Sequence, residues 1–319
     1  MNLRLGLRFS LGIVLLASVA GCSDRTTSFG NGPYAVGFHE YVFVDESRPT
    51  PANGDVPAKS TRTLLTRVYY PAEGPPTDTE TLDAPQLTTD GPFPLVVFSH
   101  GLGAVAEVYR DLLHSWAQAG YVVAAPNFPL SNARAEGGPV AADYPSQPGD
   151  VSFVIDRMLE LGATGGDFAG SIAGDRIGTA GQSLGGFTTL GVAFNTCCLD
   201  PRIRAAIPMS AAAPEFPGVY FVGIHTPLLA VHGDVDDTVP YAKGLEYYAL
   251  ANRPKAFVTI VGGDHIVPFV AGPNRAETAP VRQSTIAFFD LYLKQQSDAR
   301  ARLDAVGDLP HGKIDDQLD

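Results

Sequence analysis

Basic residues are scarce in this sequence. Its 22 Lys and Arg stand against 34 Asp and Glu, for a formal net charge of −12, and only 18% of its 319 residues are charged. A surface of that sign argues against nucleic acid as a partner and against electrostatic docking on anionic lipid. Cysteine is scarcer still. Cys22, Cys197 and Cys198 are the three in the chain, too few for a disulfide scaffold or a cysteine-built metal site. The histidines do not fall at metal-ligand spacing either, so no metal is expected, and no motif implies a cofactor. Internal repeats are lacking, as is any second domain. The apolar run Leu11–Ala20 is too short for a comfortable membrane span.

That run sits behind Arg4 and Arg8 and leads into Ser18-Val19-Ala20-Gly21-Cys22. The arrangement resembles the lipobox of bacterial lipoproteins, which implies cleavage before Cys22 and acylation of its thiol. The competing reading is an ordinary secretory signal that happens to contain a cysteine. Under either reading the protein is exported; under the first it is held in the bacterial cell envelope as a lipid-anchored protein. Residues 1–21 are then leader, and losing Arg4 and Arg8 takes the net charge from −12 to −14. Residues 22–33 are a tether, small and polar from Ser23 to Gly32. The domain is assigned to 34–296, and 297–319 to a charged tail of little apolar content. Cys197 and Cys198 are either two partly buried thiols or a vicinal disulfide, which an exported location permits.

What is present in quantity is alternation of strand and helix patterns. Tyr34–Val44 and Thr63–Tyr70 are rich in Val, Tyr, Phe and Thr and predict leading strands. Phe93–His100, Tyr121–Ala125, Ile203–Met209, Pro227–His232 and Lys255–Val261 are short, nearly continuous apolar runs, as buried parallel strands require. Helical spacing falls over Ala104–Ala119, Val151–Leu161 and Ala279–Lys294. Asn127–Pro148 is a long loop, and loops of that length are commonly functional or mobile. The pattern predicts one α/β domain with a mostly parallel central sheet flanked by helices.

The centre of this organisation is Arg176–Leu190: an apolar strand, a very tight turn and a helix. Gly181-Gln182-Ser183-Leu184-Gly185 fits the G-x-S-x-G nucleophile elbow. A serine on such a turn has strained backbone angles, and glycines two positions either side avoid collision with neighbouring backbone. The turn places the Ser183 hydroxyl at a helix N-terminus, where free N–H groups suit a developing oxyanion.

A serine hydroxyl needs a base, and the base needs a carboxylate to hold its tautomer. Downstream, Val231–Pro240 follows a buried strand and contains Asp234, Asp236 and Asp237. It resembles the hydrolase pattern H-G-x-x-D-x-x-V-P, which places the acid at Asp236; spacing alone leaves Asp234 and Asp237 as competitors. Thr259–Ile266 ends the last strand with glycines and then His265, the candidate base. At Ser99-His100-Gly101-Leu102-Gly103, beyond an early central strand, hydrolases build half of an oxyanion hole. The donors are assigned to the N–H groups of Leu102 and Leu184, with His100 orienting the loop. His39, His114, His225, His232 and His311 are treated as structural.

Phe93–Ala104, Gly120–Ala125 and the elbow together resemble the platelet-activating-factor acetylhydrolase and dienelactone-hydrolase-like branch of the α/β-hydrolases, in layout over roughly residues 60–295. The resemblance implies an α/β-hydrolase fold and carboxylic-ester hydrolysis through Ser183, His265 and Asp236 by way of an acyl-enzyme, on short-chain or bulky esters. Two departures stand out. Dienelactone hydrolases use cysteine where this chain has Ser183, and the acetylhydrolases carry His-Ser-Phe where it has Gln182-Ser183-Leu184. Only Ser210–Thr226 separates two strands where many lipases insert a lid, so no cap domain is expected. Leu102, Leu184 and Phe128 or Phe216 would then line an open apolar cleft able to admit small or polymeric esters. A cutinase-like polyester hydrolase is therefore an alternative, although that family usually has Met after the serine and a Trp near the site, against Leu184 and a helical Trp116 here. A non-catalytic binding lipoprotein on the same fold is a second alternative, and a peptidase or acyltransferase would share the triad. Acyl length, alcohol and oligomeric state lie beyond these residues.

Overall fold

The continuous apolar runs form the middle of a ten-stranded sheet, described in a computed structural model over residues 32–272 and 274–319. The expected leader, Cys22 and the tether as far as residue 31 lie outside the described residues. The strands are β1 Ala35–Asp45, β2 Arg62–Ala72, β3 Thr81–Leu82, β4 Phe93–Ser99 and β5 Val122–Asn127. They continue with β6 Ile172–Gln182, β7 Ile203–Met209, β8 Leu228–Gly233, β9 Lys255–Ile260 and β10 Gly312–Gln317. Their order is β10-β9-β8-β7-β6-β4-β5-β2-β1-β3. From β5 through β9 all neighbours are parallel, whereas β2 joins β5 and β10 joins β9 antiparallel.

Every residue of β4, β5 and β8 is buried, which is why these segments read as unbroken apolar runs and not as alternation. Alternation survives in where the side chains go. Leu95 and Val97 enter one core while Val96 and Phe98 enter the other. The first core takes residues of helices α2 (Gln147–Gly162), α3 (Leu184–Phe194) and α4 (Tyr241–Leu250). The second takes those of α1 (Arg110–Gln118), α6 (Thr278–Leu293) and α7 (Ala299–Asp304). A single turn, α5 (Val267–Val270), sits between β9 and α6. The single tryptophan, Trp116, is buried in the second core and donates to Thr285 Oγ1 at 2.9 Å.

Three expectations change. The helix predicted from Val151 begins at Gln147, because Pro148 stands in its first turn, where proline costs no hydrogen bond. A 3-10 turn, Ala141–Ser146, precedes it inside the expected long loop. Residues 297–319 are charged but not a tail: they form α7, a 3-10 turn at Ala305–Asp308, and β10. Leu303 and Val306 are fully buried, with Leu309, Ile314 and Leu318 packed on the same core. These few apolar residues lie at mixed spacings and an edge strand buries one face only, so no periodicity exposes them in the sequence.

The loop after β5 is fastened from below. Arg62, wholly buried, pairs with both Asp143 and Asp150 at 2.6 Å, and Arg48 bridges Asp150 at 2.8 Å and Asp45 at 2.6 Å. From above, Ser131 O accepts the N–H of Gly103 at 2.8 Å, so the fastened loop in turn supports the Gly101–Gly103 loop.

Candidate active site

Strands β4 through β9 all end at one edge of the sheet, the end at which parallel α/β sheets gather their functional loops. Ser183 stands between β6 and α3 with φ 57° and ψ −120°, a left-handed conformation foreign to a serine. The elbow glycines are required by close approach. A β-carbon on Gly185 would strike the carbonyl of Ser99, and one on Gly181 the carbonyl of Gly185. β6 and the loop beyond β4 are thereby pressed together under the serine. Its own N–H donates to Met209 O at 2.9 Å, fixing the turn to β7.

His265 Nε2 lies 2.9 Å from Ser183 Oγ, and its Nδ1 lies 2.7 Å from Asp236 Oδ2. With Nδ1–H donating to the carboxylate, Nε2 keeps its lone pair toward the serine hydroxyl. The other carboxylate oxygen, Oδ1, accepts the N–H groups of Thr238 at 3.0 Å and Val239 at 2.8 Å. The two competing aspartates face elsewhere. Asp234 Oδ1 accepts the N–H of Gly262 at 2.6 Å, and Asp237 receives a long 3.4 Å bond from the Thr238 hydroxyl. Ser183, Asp236 and His265 are thus brought together, from three loops.

Leu184 occupies the first position of α3, where a backbone N–H has no partner within the helix. Leu102 is the apex of the β4 loop, 47% exposed, and the N–H groups beside its own are engaged, Gly101 with Tyr109 Oη and Gly103 with Ser131 O. The side chains differ from the expected cleft lining. Leu184 and Phe128 are buried and Phe216 is half-buried over α3 near Gly191, because the elbow helix and the β5 loop pack inward; Leu102 alone of the four is exposed. Ile266, beside His265, adds an apolar side chain 49% exposed. Among the described residues no cap covers this face: residues 210–227 run from β7 to β8 as an irregular segment. Cys197 and Cys198, past the end of α3, are joined in a disulfide.

His100 is wholly buried. Its Nδ1–H donates to Gly101 O at 2.7 Å and its Nε2 accepts the N–H of Phe128 at 3.0 Å. Burial lowers its pKa to about 4, so the ring is a neutral strut between two loops. His232, read as structural, does more than fill space. Its Nε2 lies 2.9 Å from Val239 O and 3.3 Å from Asp236 Oδ2, and burial lowers its pKa as well. A neutral imidazole there can donate to the loop that carries the acid. The signal was its place four residues before Asp236, inside the H-G-x-x-D pattern.

Two further residues carry no motif signal of their own, Gln182 standing at a variable position of the elbow and Tyr109 outside any motif. The Gln182 amide nitrogen donates to His265 O at 2.8 Å, and Gln182 Oε1 accepts the Tyr109 hydroxyl at 2.8 Å. Their partners are remote in the chain, and no local pattern could have found them.

Comparisons with known proteins bear on family and fold. Residues 139–302 match the family described as PET hydrolase-like, and residues 77–134 match platelet-activating factor acetylhydrolase, isoform II. Among solved structures, a ferulic acid esterase from Streptomyces cinnamoneus is similar, with a TM-score of 0.65 and 21% identity over 82% of this chain and 91% of its own. At that identity the likeness is one of fold. No curated protein matches the chain.

Proposed function

We propose that this chain, which belongs to the PET hydrolase-like family, works as a carboxylic ester hydrolase through Ser183, His265 and Asp236. The observation that carries the reading is the unbroken relay of 2.9 Å and 2.7 Å hydrogen bonds from Ser183 Oγ through His265 to Asp236, mounted on a positive-φ turn. Ser183 Oγ attacks the acyl carbon as His265 Nε2 takes its proton, and Asp236 stabilises the imidazolium that results. The N–H groups of Leu102 and Leu184 receive the oxyanion. Collapse expels the alcohol, protonated by His265, and leaves acylated Ser183. Water, deprotonated by His265, then attacks the acyl-enzyme, and collapse releases the acid as His265 returns the proton to Ser183 Oγ.

The substrate is proposed to be a bulky or polymeric ester as well as short-chain ones. The uncapped face, the exposed Leu102 and Ile266, and the family itself support that class. The test is hydrolysis of p-nitrophenyl esters from acetate to palmitate, and of an aromatic polyester film, by wild type and Ser183→Ala. Wild-type turnover lost by several orders of magnitude in the variant is expected; full activity in Ser183→Ala would end the triad reading.

The enzyme is further proposed to be exported and lipid-anchored at Cys22, on the strength of the Ser18–Cys22 motif. Metabolic labelling with a palmitate analogue should mark the wild type and not Cys22→Ala; equal labelling of both would remove the anchor.

A further inference from the structure

The candidate oxyanion donor Leu102 and the base His265 come from opposite sides of the elbow, on loops after β4 and β9. Between them lies one buried amide. Gln182, at the end of β6, is buried to 1% exposure and belongs to neither loop. Its nitrogen donates to His265 O at 2.8 Å and stands 3.4 Å from His265 Nε2. Its oxygen accepts from Tyr109 Oη at 2.8 Å, and Tyr109 Oη accepts the N–H of Gly101 at 3.0 Å. Taken in donor order, the links run from Gly101 N–H to Tyr109 O–H to Gln182 Oε1, and from Gln182 N–H to His265 O.

The chemistry admits one orientation of every group. Gly101 N–H can only donate, so the Tyr109 oxygen accepts there and its single proton goes to Gln182. His265 O can only accept, so the amide nitrogen faces the histidine. Burial raises the Tyr109 pKa to about 12, which keeps that proton in place. Contact reinforces the bonds. A β-carbon on Gly101 would come within 2.8 Å of Gln182 Oε1, 3.0 Å of Tyr109 Oη and 3.4 Å of Ser183 Cβ. The oxyanion loop therefore rests directly on this pair.

We propose that Gln182 and Tyr109 are positioning residues that hold the Gly101–Leu102 loop and the His265 loop in one fixed relation across Ser183. The assignment rests on the ester-hydrolase reading above. An oxyanion donor and a general base must act on the same carbonyl at once, and a misplacement of about 1 Å costs on the order of a hundredfold in rate. Neither residue touches substrate. Their effect falls on kcat, because the geometry they hold matters at the transition state and not in ground-state binding.

The experiment is steady-state ester hydrolysis by the full chain as wild type, Tyr109→Phe, Gln182→Ala, the double variant and Gln182→Glu, each checked for melting temperature. Tyr109→Phe is expected to lower kcat about 10- to 100-fold with KM within about threefold. The double variant should be no worse than Gln182→Ala within about threefold, since both cut one path. Gln182→Glu keeps the bond to Tyr109, loses the one to His265 O, and brings a carboxylate beside His265 Nε2. It should also shift the acidic limb of kcat/KM to higher pH, which Tyr109→Phe should not. Folded Tyr109→Phe with wild-type kcat overturns the proposal, as do losses that multiply in the double variant. Should Tyr109→Phe not fold, Gln182→Asn, an amide of shorter reach, carries the same expectation and the same refutation. An inert wild type, or an active Ser183→Ala, would instead overturn the hydrolase reading on which this rests.

Discussion

The loops after β4 and β9 are built to the same plan and do different things. Each leaves a buried parallel strand at the same edge of the sheet, carries glycine, and presents a histidine beside Ser183's turn. In the first, both nitrogens of His100 are consumed by backbone groups, Gly101 O and Phe128 N–H. In the second, His265 gives Nδ1 to Asp236 and leaves Nε2 facing Ser183 Oγ. A ring tied to backbone at both ends is a strut, and a ring that keeps one nitrogen toward a hydroxyl is placed to serve as the proposed base. The side chain does not decide its role; the kind of partner on its two nitrogens does, backbone groups at His100 and a carboxylate and a hydroxyl at His265.

The comparison can be broken by removing each ring in turn. His265→Ala should cut kcat/KM by about 10⁴-fold or more while the melting temperature stays near wild type. His100→Ala should do the reverse. It strands a buried carbonyl and a buried N–H, at about 1–3 kcal/mol of stability each, and lowers activity only about tenfold through the displaced loop. Thermal melts and ester kinetics on both variants check this, and exchanged outcomes would show that the two rings have been assigned the wrong way round.

A smaller effect sharpens the contrast through pH. The His100 pKa falls from 6.5 in the free side chain to about 4 in the fold because the charged ring is desolvated. Below pH 6.5 the unfolded chain takes up a proton that the native state refuses, so stability is lost as pH falls toward 4. The loss reaches roughly 3 kcal/mol. Denaturant melts between pH 4 and pH 8 should show that decline in the wild type and a flatter curve in His100→Gln; parallel curves would dissociate His100 from it.

The same contrast explains what could be read from the chain before its structure. The chemistry proposed for Ser183, Asp236 and His265 demands particular residue types in a set order, on strand ends whose apolar runs are plain. The central strands were legible because double-sided burial leaves little room for polar residues. Gln182 and Tyr109 were not, since a bond across 73 positions leaves no local trace. His232 lies between these cases: its place in the H-G-x-x-D pattern was visible, but its contacts with Val239 O and Asp236 become evident only once the acid loop is folded back. Helix α4 has a weak apolar face that sets no clear period, and the last strand has only a half-buried side amid Lys313, Asp315 and Asp316, so it passed for a charged tail.

That last strand has a bearing on when the protein becomes competent. β10 pairs along the whole of β9, from Gly312 opposite Ile260 to Gln317 opposite Lys255, and the histidine loop springs from the end of β9. During synthesis, residues beyond 312 emerge well after His265 itself. Until they arrive, β9 is a bare border of the sheet, with open hydrogen-bonding groups along one side. The serine turn, flanked by β4 and β7, can be in place long before. Pairing with β10 thus closes the border from which the histidine loop springs, and a chain truncated short of residue 312 is expected to hold Ser183 in its turn without a firmly seated His265.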